Sequence, residues 1–84
     1  MKRDEIEKKV FEIVVESLKI ERAGLTLDSS FEKGLKADSL DIVNMIMDIE
    51  HEFELVILGV DAEKLKTIGN IVDYVVKKKG RAET

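Results

Sequence analysis

Three stretches of helix-period apolar residues, and only one strand-like run, set the limits on what this chain can fold into. Ile6, Val10, Ile13, Val14 and Leu18 recur at i, i+4 and i+7 among Glu and Lys, which predicts an amphipathic helix over 3–18. Ile42, Ile46, Ile49 and Phe53 form a second stripe over 39–53, and Ile68, Val72, Val75 and Val76 a third over 68–79. The run Leu55-Val56-Ile57-Leu58 has no strand-like partner, so it reads as buried connecting chain. One or two helical turns are expected over 61–66. The expectation is therefore an all-α bundle of three long helices plus one short helix. Residues 1–84 would make a single domain, since 84 residues are too few for two cores.

Local signals agree with these boundaries. Asp4, Glu5 and Glu7 favour the positive end of the first helix. Asp38, with Asp41 three residues on, has the spacing of a capping box, and Thr67 can cap the last helix. Lys77, Lys78 and Lys79 suit a helix C-terminus, and Gly80 reads as its stop. Between the first two helices, residues 19–37 hold Gly24, Asp28, Ser29, Ser30 and Gly34 and no sustained period. Long ordered connections in small domains are uncommon unless they serve a function. Phe31 and Leu35 are the expected anchors of this one.

Composition removes most enzyme chemistries. The chain has no Cys, which excludes disulfides, Cys-ligated zinc and a thiol nucleophile of its own. A single His argues against histidine-based metal or acid–base sites, so no catalytic residue and no metal ligand is assigned. No apolar run approaches the roughly 20 residues of a membrane span, so no stable membrane insertion is expected. Met1-Lys2-Arg3-Asp4-Glu5 lacks the apolar stretch of a secretory signal. A cytoplasmic location is expected, and an organelle interior would read the same way.

The net charge of −4 is unevenly distributed. Residues 1–27 balance to zero, 28–63 carry −8, and 64–84 carry +4. The acidic middle would be steered to basic protein surfaces and repelled by nucleic acid. Lys77–Lys79 and Arg81 are read as dipole complement rather than as phosphate contacts.

Within the acidic middle, the second helix has two apolar faces. At about 100° per residue, Leu40, Asn44, Met47 and His51 fall opposite the Ile42–Phe53 stripe, with Asp41, Asp48 and Glu52 on a flank. Apolar residues rimmed by carboxylates have the anatomy of a small recognition surface, although single exposed Leu or Met residues are ordinary. Two such anchors suit a transient contact, and the chain is expected to be a monomer.

Ser39 stands in the first turn of this helix, directly after the long loop. Free N–H groups and the dipole make that a favourable place for an attached phosphate. His51 lies twelve residues further along, about 18 Å at 1.5 Å per residue, so no triad can activate the serine. Ser39 reads better as the acceptor of a group added by another enzyme. By itself, Asp-Ser at a helix start is usually a cap.

The stretch Ser30-Phe31-Glu32-Lys33-Gly34-Leu35-Lys36-Ala37-Asp38-Ser39-Leu40-Asp41 closely resembles the attachment region of acyl carrier proteins. The likeness continues through Glu50-His51-Glu52-Phe53 and Asp61 to Val75, in order over nearly the whole chain. The resemblance implies an acyl-carrier-like bundle with 4'-phosphopantetheine on Ser39, transferred from coenzyme A by a holo-acyl-carrier-protein synthase. It implies a non-catalytic carrier in fatty-acid synthesis, itself a substrate for acyltransferase, ketosynthase, reductase and dehydratase enzymes. The implied partner contacts are Asp38, Leu40, Asp41, Asn44, Met47, Glu50 and His51, with Ile57 just beyond. An acyl pocket between the second and third helices would be lined by Phe31, Ile46, Ile49, Ala62, Leu65, Ile68 and Ile71.

Several positions depart from the family pattern. Gly34-Leu35-Lys36 stands where Asp-Leu-Gly is usual, which is expected to alter the loop backbone and puts a cation near the attached phosphate. Asn44 and His51 replace usual Glu residues, and Leu58-Gly59-Val60 replaces acidic residues or Pro. Docking to basic patches is expected to be weaker and more salt-tolerant, each lost exposed pair being worth about 0–1 kcal/mol. Ile71, where a small residue is usual, would shorten the cavity and favour short or medium acyl chains. Two alternatives stay open: a specialised carrier for a polyketide, aminoacyl or lipid-modifying pathway, and an unmodified helical adaptor.

Overall fold

The computed structural model describes residues 2–79, so Gly80 and Arg81 lie outside the described residues. Helices form at Arg3–Leu18 (α1), Ser39–Phe53 (α2), Gly59–Ala62 (α3) and Ile68–Lys79 (α4). No strand occurs among the described residues, only an isolated antiparallel bridge between Ser30 and Thr67. The three apolar stripes thus become the three long helices, with the all-α outcome their spacing implied.

Helix α1 is the strut of the bundle, packing against both α2 and α4. Ile6, Val10 and Val14 of α1, Met45 and Ile49 of α2, and Ile68, Ile71, Val72 and Val75 of α4 are fully buried together. Each such aliphatic contributes about 1.5–3 kcal/mol by leaving water. Polar contacts then fix the register. The Ser17 hydroxyl donates to Asp48 Oδ2 at 2.6 Å, and Lys9 Nζ lies 3.1 Å from Glu52 Oε2. Arg3 joins Glu7 at 2.9 Å and Asp73 on α4 at 3.0 Å. Met45 takes a core place that the expected stripe gave to Ile42, which is only half-buried.

The connection over 19–38 is firmly held despite its lack of period. Leu25 and Phe31 are buried, and the Arg22 guanidinium covers the Phe11 ring at 3.9 Å. Its far half is stitched to the start of α4: Phe31 N–H donates to Lys66 O at 3.1 Å, Ile68 N–H to Ser29 O at 3.2 Å, and Gly69 N–H to Leu27 O at 2.7 Å. A Cβ at position 69 would stand 2.9 Å from the Leu27 oxygen, so only glycine admits this approach.

The short helix differs from expectation. It spans Gly59–Ala62 rather than 61–66. It starts earlier because Leu58 O accepts from both Asp61 and Ala62 N–H, at 2.9 and 2.8 Å. It gives way to tighter turns, Lys64 N–H donating to Asp61 O at 3.0 Å and Leu65 N–H to Ala62 O at 3.1 Å, and Asn70 Oδ1 then takes the N–H groups of Lys66 and Thr67, at 2.9 and 3.1 Å. The Thr67 hydroxyl in turn accepts from Asn70 N–H at 3.1 Å, which starts α4 at Ile68.

Candidate functional site at the start of α2

Asp38 is the N-cap of α2, with Oδ1 accepting from Asp41 N–H at 2.9 Å and Asp41 Oδ2 facing Asp38 N–H at 3.4 Å. This reciprocal box sets where the helix begins and makes Ser39 its first residue. Ser39 is exposed, and among the described residues its hydroxyl has no hydrogen-bond partner. The box satisfies Asp41 N–H and leaves the N–H groups of Ser39 and Leu40 at the positive end of the helix.

The chain turns into this box through Lys36, which adopts a left-handed backbone with φ 54°. The displaced glycine has therefore not removed a left-handed position: a lysine occupies it, at a cost of about 1–2 kcal/mol relative to an unstrained conformation. Gly34 has a steric reason instead, since a Cβ there would lie 3.0 Å from Ser30 O. Ala37 N–H donates to Phe31 O at 2.8 Å and closes the turn.

Ser39 lies on the rim of an open cleft of about 280 Å³ lined by Phe31, Glu32, Ile42, Val43, Ala62, Glu63, Leu65 and Lys66. Ser39, Ile42 and Val43 share one helix face through the i, i+3 and i+4 relation. The expected pocket divides here. Phe31, Ala62 and Leu65 do line the cleft, whereas Ile46, Ile49, Ile68 and Ile71 are core residues and not part of its wall. The packing of α1 on α2 and α4 draws these faces into the core. Ile42 and Val43, missed as lining residues, were detectable from their spacing to Ser39. A larger hollow of about 510 Å³ borders Asp4, Phe11 and Val15 on α1 and Arg22 after it, but its lining includes no hydroxyl and no residue of the Ser39 cleft.

Among the expected partner contacts, Asp38, Leu40, Asn44, Met47 and His51 are exposed, and Asp41 and Glu50 half-buried. Ile57 is a correction: its side chain is 7% exposed and belongs to the core. Its N–H donates to Glu50 Oε2 at 2.8 Å, which ties residue 57 to the last turn of α2. The outward positions are taken instead by Val56 and Leu58. Asp48 and Glu52, the flanking carboxylates, face Ser17 and Lys9 of α1.

The arrangement offers an exposed serine hydroxyl, free N–H groups suited to a phosphate, and an apolar cleft beside them. It fits a phosphate-linked group on Ser39. Comparison with known proteins gives the same picture. The family described as "Phosphopantetheine attachment site" matches residues 8–75. An acyl carrier protein of Porphyromonas gingivalis is 42% identical over 73 residues, covering 87% of this chain and 94% of the relative. One from Chlorobium phaeobacteroides is 40% identical over 78 residues, covering 93% and 100%. A solved structure of the acyl carrier protein from Enterococcus faecalis superposes with a TM-score of 0.77 at 35% identity, covering 92% of this chain and 98% of that one.

Proposed function

The chain belongs to the acyl carrier proteins, and from that membership we propose that Ser39 is the residue that bears its covalent 4'-phosphopantetheine. The protein is a carrier of acyl intermediates for fatty-acid synthesis. When bound, the group supplies a terminal thiol on a flexible arm, on which acyl chains are held as thioesters, so a chain without Cys can take part in thiol chemistry.

The observation that carries the assignment is the position of Ser39: exposed, first in α2, and on the lip of the apolar cleft. The N–H groups of Ser39 and Leu40 would orient the phosphodiester. Lys36 would offset the Asp38 and Asp41 carboxylates beside it. Phe31, Ile42, Val43, Ala62 and Leu65 would shield the near part of an acyl chain from water. Leu40, Asn44, Met47 and His51, with the Asp38–Asp41 box, would meet the holo-synthase and the acyltransferase, ketosynthase, reductase and dehydratase enzymes that use the carrier as a substrate. The setting proposed for this traffic is the cytoplasm. No helix among the described residues is long and apolar enough to cross a membrane.

Intact-mass measurement after incubation with coenzyme A and a broad-specificity holo-synthase tests the assignment. The natural chain should gain one phosphopantetheine and Ser39→Ala none. A natural chain that stays bare would favour an unmodified adaptor, and a modified Ser39→Ala would move the site elsewhere.

A further inference from the structure

Among the described residues, the left-handed positions held by residues other than glycine are Lys19 (φ 55°), Lys36 (φ 54°) and Glu54 (φ 52°). Lys19 and Glu54 are the C-caps of α1 and α2, their N–H groups donating to Val15 O and Glu50 O, and a left-handed residue is an ordinary way to end a helix. Lys36 ends no helix. It stands in the turn where Gly34 and Leu35 N–H donate to Ser30 O and Ala37 N–H to Phe31 O, two residues before the Asp38 cap. A glycine would adopt this conformation without strain, and the lysine does not. Within the chain nothing offsets the strain, since the side chain is exposed and joins no ion pair among the described residues. A strained residue that the fold itself does not require points to a role for its side chain.

The charges around Ser39 define that role. Asp38 and Asp41 lie within one turn of the serine, each carboxylate turned to the other's N–H. A phosphodiester on Ser39 adds a third negative charge to that turn, against which the helix end supplies only about half a positive one. Glu32 and Glu63, both exposed on the cleft rim, make the surroundings more negative still. The cations at hand are Lys66, Lys33 and Lys36. Lys66 Nζ lies 3.9 Å from Glu32 Oε1, and Lys33 is six residues from Ser39, beyond Gly34. Lys36 is three residues from the serine, a span of at most about 11 Å between Cα atoms, within reach of a lysine stem on one side and a phosphoseryl link on the other. We propose that the Lys36 ammonium is the counter-ion of the phosphodiester on Ser39, and so restrains the root of the pantetheine arm.

The proposal rests on Ser39 being the attachment residue. The test compares the melting temperature of the full chain before and after loading by coenzyme A and a broad-specificity holo-synthase, carried to completion by intact mass. Each variant is thus referred to its own bare form. At low salt, loading should lower the melting temperature of Lys36→Gln by about 3 °C more than that of the natural chain, and the difference should fade at high salt. Lys36→Arg should behave as the natural chain, and Lys33→Gln, which loses the same charge, nearly so. The phosphorus resonance of the loaded protein should differ between the natural chain and Lys36→Gln at low salt and coincide at high salt. Equal loading shifts in the natural chain and Lys36→Gln overturn the proposal while leaving Ser39 in place. So does an effect in Lys33→Gln as large as in Lys36→Gln, or a Lys36→Arg that does not restore the natural value. A natural chain that gains no mass overturns the attachment reading, and this proposal with it.

Discussion

The two sides of α2 are built for different tasks. Towards α1 it sends Met45, Ile49 and Phe53 into a closed core and closes the seam with Ser17–Asp48 and Lys9–Glu52. Towards α3 it shows Val43, half-buried Ile42 and an open cleft, and the opposing segment is held by the buried side chains of Ile57 and Leu65 and by the Glu50–Ile57 and Asp61–Tyr74 hydrogen bonds. The contrast teaches where stability and adaptability reside in a domain this small. One interface supplies most of the cohesion, and the other is left free to open for cargo and partners.

Truncation offers the strongest way to break this comparison. Ile49→Ala should cost about 2–5 kcal/mol by urea denaturation, and Val60→Ala less than about 0.5 kcal/mol. Equal losses would mean that the α3 side is as structural as the α1 side. Gly69→Ala should cost about 1–3 kcal/mol, because its methyl would meet the Leu27 carbonyl at 2.9 Å. A neutral result would show that the long connection is not pressed against α4.

Cargo sharpens the comparison from the open side. In a series of acylated carriers, the stability gain should grow with each buried methylene, to about 2 kcal/mol at medium length, and then stop as the open 280 Å³ cleft fills. A gain still rising at the longest chains would show that the core around Ile46, Ile49, Ile68 and Ile71 parts to admit them. Lys36→Gly should raise stability by about 0.5–1 kcal/mol, as relief of the left-handed strain outweighs the added freedom of the unfolded chain.

The smallest effect is read from the sole tyrosine. Desolvation, and then its hydrogen bond to Asp61, raise the Tyr74 phenol above its ordinary 10.0. The protonated form is favoured in the folded state, so this contribution is complete below pH 10 and fades as pH climbs through the raised value. An ultraviolet titration should place the native midpoint above 10, and Asp61→Asn should bring it part of the way back. No change in Asp61→Asn would show that this link between α3 and α4 is absent in solution.

The long helices were legible because their signals are local. Asp38 with Asp41 starts α2 at Ser39, and Thr67 starts α4 at Ile68, in agreement with the spacing. The short helix was misplaced because Gly59 and Val60 conceal a helical turn and because Asn70, which ends the turns before α4, acts from four residues ahead. Leu55-Val56-Ile57-Leu58 reads as buried throughout, yet Val56 and Leu58 are exposed and only Ile57 is buried, a difference that four consecutive apolar residues do not mark. Which carboxylates of α2 face outward could not be read at all. It depends on Ser17 and Lys9, which the fold brings across from another helix.

The stretch from 56 to 63 puts Ala62 and Glu63 in the wall of the cleft and turns Val56, Leu58 and Val60 to the outside. Cargo that pushes on the inside of so thin a partition displaces its outside as well. With cargo on Ser39, a laden carrier and an empty one would then present different contours to the outside.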